Sequence, residues 1–147
     1  MSAPGAGPPH FAMTCTAELA GLAALLDLVR QAAEAGGLDA DTEADLRLAL
    51  EEACANVIAH GYPPGEPGPI AVEVCVQAGR VAMTVTDRAR AFDPAQAPAP
   101  DLSSPWETRR IGGLGLHLIR ELMDEVRHDT PPGGGNRLTM IKHTDTP

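Results

Sequence analysis

A strict two-residue alternation runs over residues 69–77. Ile70, Val72, Val74 and Val76 fall on one side, and Ala71, Glu73, Cys75 and Gln77 on the other. That period belongs to a strand with one buried face. Ala78-Gly79-Arg80 reads as a tight turn, after which Val81, Met83 and Val85 alternate with Ala82, Thr84 and Thr86. The two runs predict a hairpin. Elsewhere the period is helical. Over 18–35, Leu22, Leu25, Leu26, Val29 and Ala33 share a face, and Gly36-Gly37 stops the run. Over 41–60, Leu46, Leu50, Ala53 and Val57 form one stripe. Asp39 and Asp41 offer N-caps and acidic first-turn charge to that helix, and Gly61 followed by Pro63-Pro64 terminates it.

A third helix is predicted over 114–126, where Leu114, Leu118, Leu122 and Val126 are spaced by four. Residues 10–16 read as an edge strand, and 137–143 alternate weakly as a final strand. Between the hairpin and the third helix, 93–111 has no period. Pro94, Pro98, Pro100 and Pro105 exclude a regular helix or a central strand there. A loop of that length inside a domain points to function or disorder. Residues 1–9 read as a disordered Gly/Pro tail, leaving 10–147 as one domain. The order of elements predicts an α+β sandwich: a mixed sheet with helices on one face.

Composition narrows the function classes. The 147 residues suit one core. Aromatic residues make up only 3%, so that core must be built from Leu, Val, Ile, Ala and Met. A formal net charge of -9 repels a polyanion and argues against a nucleic-acid surface. No apolar run reaches the roughly 20 residues of a membrane span, so no membrane association is expected. Residues 1–9 have neither the cationic region nor the apolar core of a signal peptide. Cys15, Cys54 and Cys75 are odd in number, match no metal-binding spacing and lie in apolar stretches. They read as buried reduced thiols of a cytoplasmic protein.

Three motifs carry chemistry. The first is Glu51-Glu52-Ala53-Cys54-Ala55-Asn56-Val57-Ile58-Ala59-His60-Gly61-Tyr62. Glu52 and Asn56 lie one helical turn apart on a face distinct from the Leu46/Leu50/Ala53/Val57 stripe. An Asn supplies a neutral oxygen to a hard cation, and a Glu can accept a proton from an attacking hydroxyl. Taken alone, the pair reads as an ordinary polar helix face. The second motif is Asp87-Arg88-Ala89-Arg90-Ala91-Phe92-Asp93-Pro94. Its Asp87 leaves a strand end, where a carboxylate can accept a hydrogen bond from an adenine amine or simply face solvent. The third is Ile111-Gly112-Gly113-Leu114-Gly115-Leu116, which opens a helix. Glycines there let phosphate approach free backbone N–H groups, though they also suit a plain hinge. No Lys-Ser/Thr follows, so this is not a Walker loop, and no strand runs directly into it, so it is not a Rossmann turn.

In this order, the three motifs resemble the GHKL ATPase superfamily, whose fold is the Bergerat-type two-layer sandwich with a mostly antiparallel sheet. The run Glu52-x-x-x-Asn56-x-x-x-His60-Gly61-Tyr62 and the small size are most similar to bacterial anti-sigma-factor serine kinases. The resemblance implies ATP and Mg2+ as cofactors. It makes Glu52 the general base, Asn56 the metal ligand and Asp87 the acceptor for adenine. Gly112, Gly113, Leu114, Gly115 and Leu116 would line the phosphates, Thr139 would support the adenine pocket, and 94–111 would form an ATP lid. It implies a homodimer that binds a sigma factor and phosphorylates a serine on a small antagonist protein.

The chain departs from the family pattern D-x-G-x-G at Ala89 and Ala91, whose methyls stand where backbone should approach the nucleotide and resist positive φ. They predict weakened ATP binding and favour, as the alternative, a non-catalytic interaction module. Phe92-Asp93-Pro94 is kept. Arg109 and Arg110 precede Ile111, which occupies the place expected for the lid arginine. His60 reads as a helix-end histidine bonded to nearby backbone in preference to a catalytic group, and Trp106 as either a partner contact or a lid anchor. A histidine kinase fragment would need a phosphoacceptor helical hairpin, and 1–40 holds only one helix.

Overall fold

The computed structural model describes residues 8–90 and 113–144. Five strands form one sheet in the order β1-β2-β3-β5-β4. They are β1 (His10–Thr16), β2 (Pro69–Gln77), β3 (Arg80–Asp87), β4 (Glu125–Asp129) and β5 (Asn136–His143). Every pairing among them is antiparallel, so no parallel pair contributes where a mixed sheet was expected. Three helices, α1 (Leu19–Gly36), α2 (Ala40–Asn56) and α3 (Gly113–Leu122), cover one face of the sheet. The α+β sandwich read from the sequence is the observed architecture.

The hairpin alternation sets the core. Ile70, Val72 and Val74 of β2 and Val81 and Met83 of β3 are fully buried, facing Leu25, Val29, Leu46 and Leu50 of the helices. The register pairs Val72 with Val85 and Val74 with Met83, so one apolar stripe crosses both strands. The other face carries small and polar side chains, such as Ala71, Glu73, Thr84, Thr86 and Thr139, none of them fully buried. Of the three cysteines expected to be buried, only Cys54 is. Cys15 and Cys75 are part-exposed, Cys75 because it lies on this outer face of β2. Desolvation pushes the Cys54 thiol up to about 12, so it stays protonated at neutral pH.

Local chemistry fixes the helix ends. Gly37 closes α1 in the left-handed conformation at φ 64°. The α2 helix begins with Asp39, whose carboxylate accepts the Thr42 N–H at 2.7 Å, and that bond lowers the Asp39 pKa. At its other end α2 does not run on as a regular helix to His60. It passes into a π-helical turn over Val57–Gly61, a widening often found at functional sites.

The third helix is shorter than its leucine spacing predicts. It stops at Leu122, and Val126 lies in β4, a strand absent from the sequence reading. The stop comes from tertiary partners. The Lys142 ammonium donates to the Leu122 carbonyl at 2.9 Å and pairs with Asp45 of α2 at 3.2 Å. Asp124 then turns onto β5, with its N–H on the Ile141 carbonyl and its carboxylate accepting the His143 N–H at 2.6 Å. Ordered pairing also begins earlier than the expected tail boundary, because the Val76 N–H donates to the Pro9 carbonyl.

Candidate functional site

A cleft of about 740 Å3 opens between the C-terminal end of α2, the end of β3 and the first part of α3. The backbone brings these together because β3 lies centrally in the sheet and α2 and α3 pack side by side over it. Asn56, Val57, His60 and Tyr62 line one wall. Val85, Asp87, Ala89 and Leu138 form the floor, and Leu116 closes the side toward α3. The sequence-predicted residues Asn56, Asp87 and Leu116 therefore meet in one site.

Asp87 is the only buried polar or charged residue among the described residues, with 6% of its surface exposed. One carboxylate oxygen, Oδ1, accepts the Ala89 N–H at 2.8 Å and the Asn136 amide at 3.0 Å. Those donors offset the cost of burying the charge. The other oxygen has no protein donor among the described residues. Ala89 makes this turn without positive φ, a conformation confined to glycines among the described residues. The expected conflict between an alanine and positive φ therefore does not arise at Ala89. Ala91 lies outside the described residues.

Glycine is required at Gly135, just before β5. Its φ is +91°, and an added Cβ would fall on the Asp87 carbonyl oxygen. That close approach lets β5 start beside Asp87 and pairs Asn136 directly opposite it.

Tyr62 fastens the end of the first motif to the start of the second. Its hydroxyl donates to the Pro69 carbonyl at 2.5 Å and accepts the Arg88 N–H at 2.8 Å. Desolvation raises the Tyr62 pKa, and the Arg88 bond opposes that rise. The ring lies on Gly68, where a side chain would strike Tyr62 Cζ at 2.7 Å. Tyr62→Phe removes both hydroxyl bonds and should lower unfolding stability by about 1–2 kcal/mol, read as a shift in the urea midpoint at constant slope. An unchanged midpoint would show that the hydroxyl does not hold these segments.

Other predicted residues fall differently. Glu52 is half-buried one turn before Asn56 and does not itself line the cleft. Gly113 opens α3, with Leu114 and Gly115 in its first turn. Gly112, the expected lid 94–111, Trp106, Arg109 and Arg110 lie outside the described residues. His60 lines the cleft, and no side-chain hydrogen bond joins it to a described residue, so the expected backbone bond is not formed. Thr139 is a correction. It pairs with Thr84 on the outer face of the sheet, whereas Leu138 and Asn136 face the cleft. A strand reverses side chains at every residue, so an assignment one position off lands on the wrong face. Asn136 and His128, which the sequence reading missed, are the inward residues that reach Asp87's side of the cleft.

No group of three or more His, Cys, Asp or Glu residues able to hold a metal occurs among the described residues. The cleft fits a magnesium ion only if phosphate and water supply most of its ligands, with the Asn56 carboxamide oxygen as the protein's share. Such an ion, when bound, neutralises phosphate charge.

Fold and cleft together define an α+β sandwich with a cleft at the C-terminal end of α2. Residues 15–142 match the family described as histidine kinase-like ATPase domain, and the chain belongs to that family. It is 31% identical over 99 residues to the serine/threonine-protein kinase BtrW of Bordetella bronchiseptica, covering 67% of this chain and 69% of that one. It is 37% identical over 106 residues to the serine-protein kinase RsbW of Bacillus pumilus, covering 67% of this chain and 63% of that one. The matched segments thus span about two thirds of these relatives' lengths. Among solved structures, the RsbU and RsbW domains of a Mycobacterium tuberculosis protein share the fold with a TM-score of 0.65 at 23% identity, over 93% of this chain and 33% of that one. The mycobacterial sensor histidine kinase MprB shares it with a TM-score of 0.53 at 14% identity, over 93% and 100% of the two chains.

Proposed function

We propose that the chain is an ATP-dependent protein-serine kinase that acts as an anti-sigma factor, phosphorylating a small antagonist protein and sequestering a sigma factor. The observation that carries this reading is Asp87: a buried carboxylate with one oxygen held by the protein and the other free toward the cleft. That is the seat an adenine amine needs. Kinship with proteins named serine-protein kinases, at 31–37% identity, supports the phosphoryl-transfer part.

In this reading the adenine enters over Val85 and Leu138, and its amine donates to Asp87. The phosphates run toward the start of α3, where a helix's first N–H groups lack intrahelical partners and the dipole favours negative charge. Asn56 holds the metal, and Glu52, one turn back, takes the proton from the acceptor serine. Phosphoryl transfer asks mainly for positioning and charge neutralisation, so one base and one metal ligand on a single helix suffice. The protein works as a homodimer in the cytoplasm. Among the described residues no helix is long and apolar enough to cross a membrane.

The test is transfer of labelled phosphate from magnesium ATP to candidate antagonist proteins encoded in the same genome. Transfer to a serine of one of them is expected. Binding of an antagonist with no transfer would replace the kinase reading with that of an interaction module.

A further inference from the structure

The bonds around Asp87 extend to a residue outside every motif. Asn136 donates its Nδ2 both to Asp87 Oδ1 and to the Arg90 carbonyl, each at 3.0 Å. Both partners are pure acceptors, so the carboxamide nitrogen must be the atom facing them. Its oxygen then faces the other way, where His128 Nε2 lies at 3.0 Å. A carboxamide oxygen only accepts, which requires His128 to carry its proton on Nε2. The sheet places all three on one face: Asp87 opposite Asn136 on β5, and His128 opposite Leu138, two residues further along β5. Both His128 and Asn136 line the cleft.

We propose that His128 is a positioning residue for nucleobase selection, acting through Asn136 to hold Asp87 as an acceptor for a 6-amino purine. The inference rests on the proposed ATP site. Its physical content is an orientation. With His128 donating, a rotated Asn136 would lose that bond and turn its own oxygen toward Asp87 and the Arg90 carbonyl. The imidazole therefore stabilises one amide orientation over the other. That orientation occupies Asp87 Oδ1 and leaves the remaining oxygen as an acceptor for adenine. A 6-oxo purine would bring its own oxygen to that carboxylate and is rejected. Without His128 the carboxamide loses the donor that braces its oxygen, and Asn136 holds Asp87 less firmly.

Titration calorimetry with ATP and with inosine 5′-triphosphate, both with magnesium, tests this on the whole chain. The wild type should prefer ATP. His128→Ala should weaken ATP binding about threefold to tenfold, the worth of one hydrogen bond, while changing inosine triphosphate binding less, so the preference ratio falls. His128→Gln, which can place an N–H at a similar reach, should restore the ratio. A loss of both affinities by one factor in His128→Ala marks a merely structural role and overturns the proposal, as does an unchanged ratio. A second readout needs no nucleotide: ring 15N shifts of the free protein should show His128 protonated at Nε2. A ring protonated only at Nδ1 overturns the relay without touching the ATP reading. Failure of the wild type to bind either nucleotide removes both.

Discussion

Glu52→Gln should leave ATP binding within about twofold of the wild type and slow phosphoryl transfer to a serine acceptor by about 10²–10⁴-fold, the usual contribution of a general base. The substitution keeps the length and polarity of the side chain and removes its charge and basicity. Affinity should be spared because Glu52 does not line the cleft, whereas Asn56, one turn on, does. Asn56→Ala is the contrasting case. It removes the proposed metal ligand, so magnesium-dependent binding and transfer should fall together. Single-turnover transfer and equilibrium binding, measured on the same samples, separate the two roles. Transfer by Glu52→Gln at the wild-type rate would show that the serine proton goes elsewhere.

These roles differ in how far the sequence alone exposes them. The hairpin alternation over 69–86 has a single physical meaning, and both the core and the register follow from it. Asp87 follows from the same count, because it continues the buried parity of Val81, Met83 and Val85. The Glu52/Asn56 face was legible because α2 stays regular as far as Asn56. The π-helical turn beyond it leaves no mark in the hydrophobic period, which is why His60 was read as a continuation of the helix.

What the sequence concealed lies in the last quarter. The spacing Leu114, Leu118, Leu122, Val126 satisfies a helix, yet the chain leaves it after Leu122, where Lys142 and Asp124 supply bonds from β5. Contacts of that kind are set by tertiary placement, which local propensity does not record. Missing β4 meant missing His128, whose inward direction is defined only by pairing with Leu138. Asn136 was hidden for a related reason. It precedes the strand expected over 137–143 and follows three glycines, so no strand alternation reaches it. Those glycines carried the available signal. A glycine just before a strand invites the question of what backbone it must approach, and at Gly135 the answer is Asp87.

Asp87→Asn should weaken ATP binding by about tenfold to a hundredfold, the worth of a charge-assisted hydrogen bond in a desolvated site. The surroundings of the residue dictate how. Oδ1 of Asp87 is held by two donors, the Ala89 N–H and the Asn136 amide. An asparagine at 87 must keep its oxygen toward those donors, which turns its NH2 toward the ligand. The adenine amine then meets a donor where it met an acceptor. The same NH2 can donate to a 6-oxo group, so inosine triphosphate should bind the variant at least as well as it binds the wild type. The fold should survive, because asparagine is isosteric and still satisfies both protein donors. Thermal melting monitored by circular dichroism checks that separately. Calorimetric titration of both nucleotides into both proteins gives the result. A variant that binds ATP as tightly as the wild type, with its fold intact, would mean that the adenine amine does not sit on Asp87.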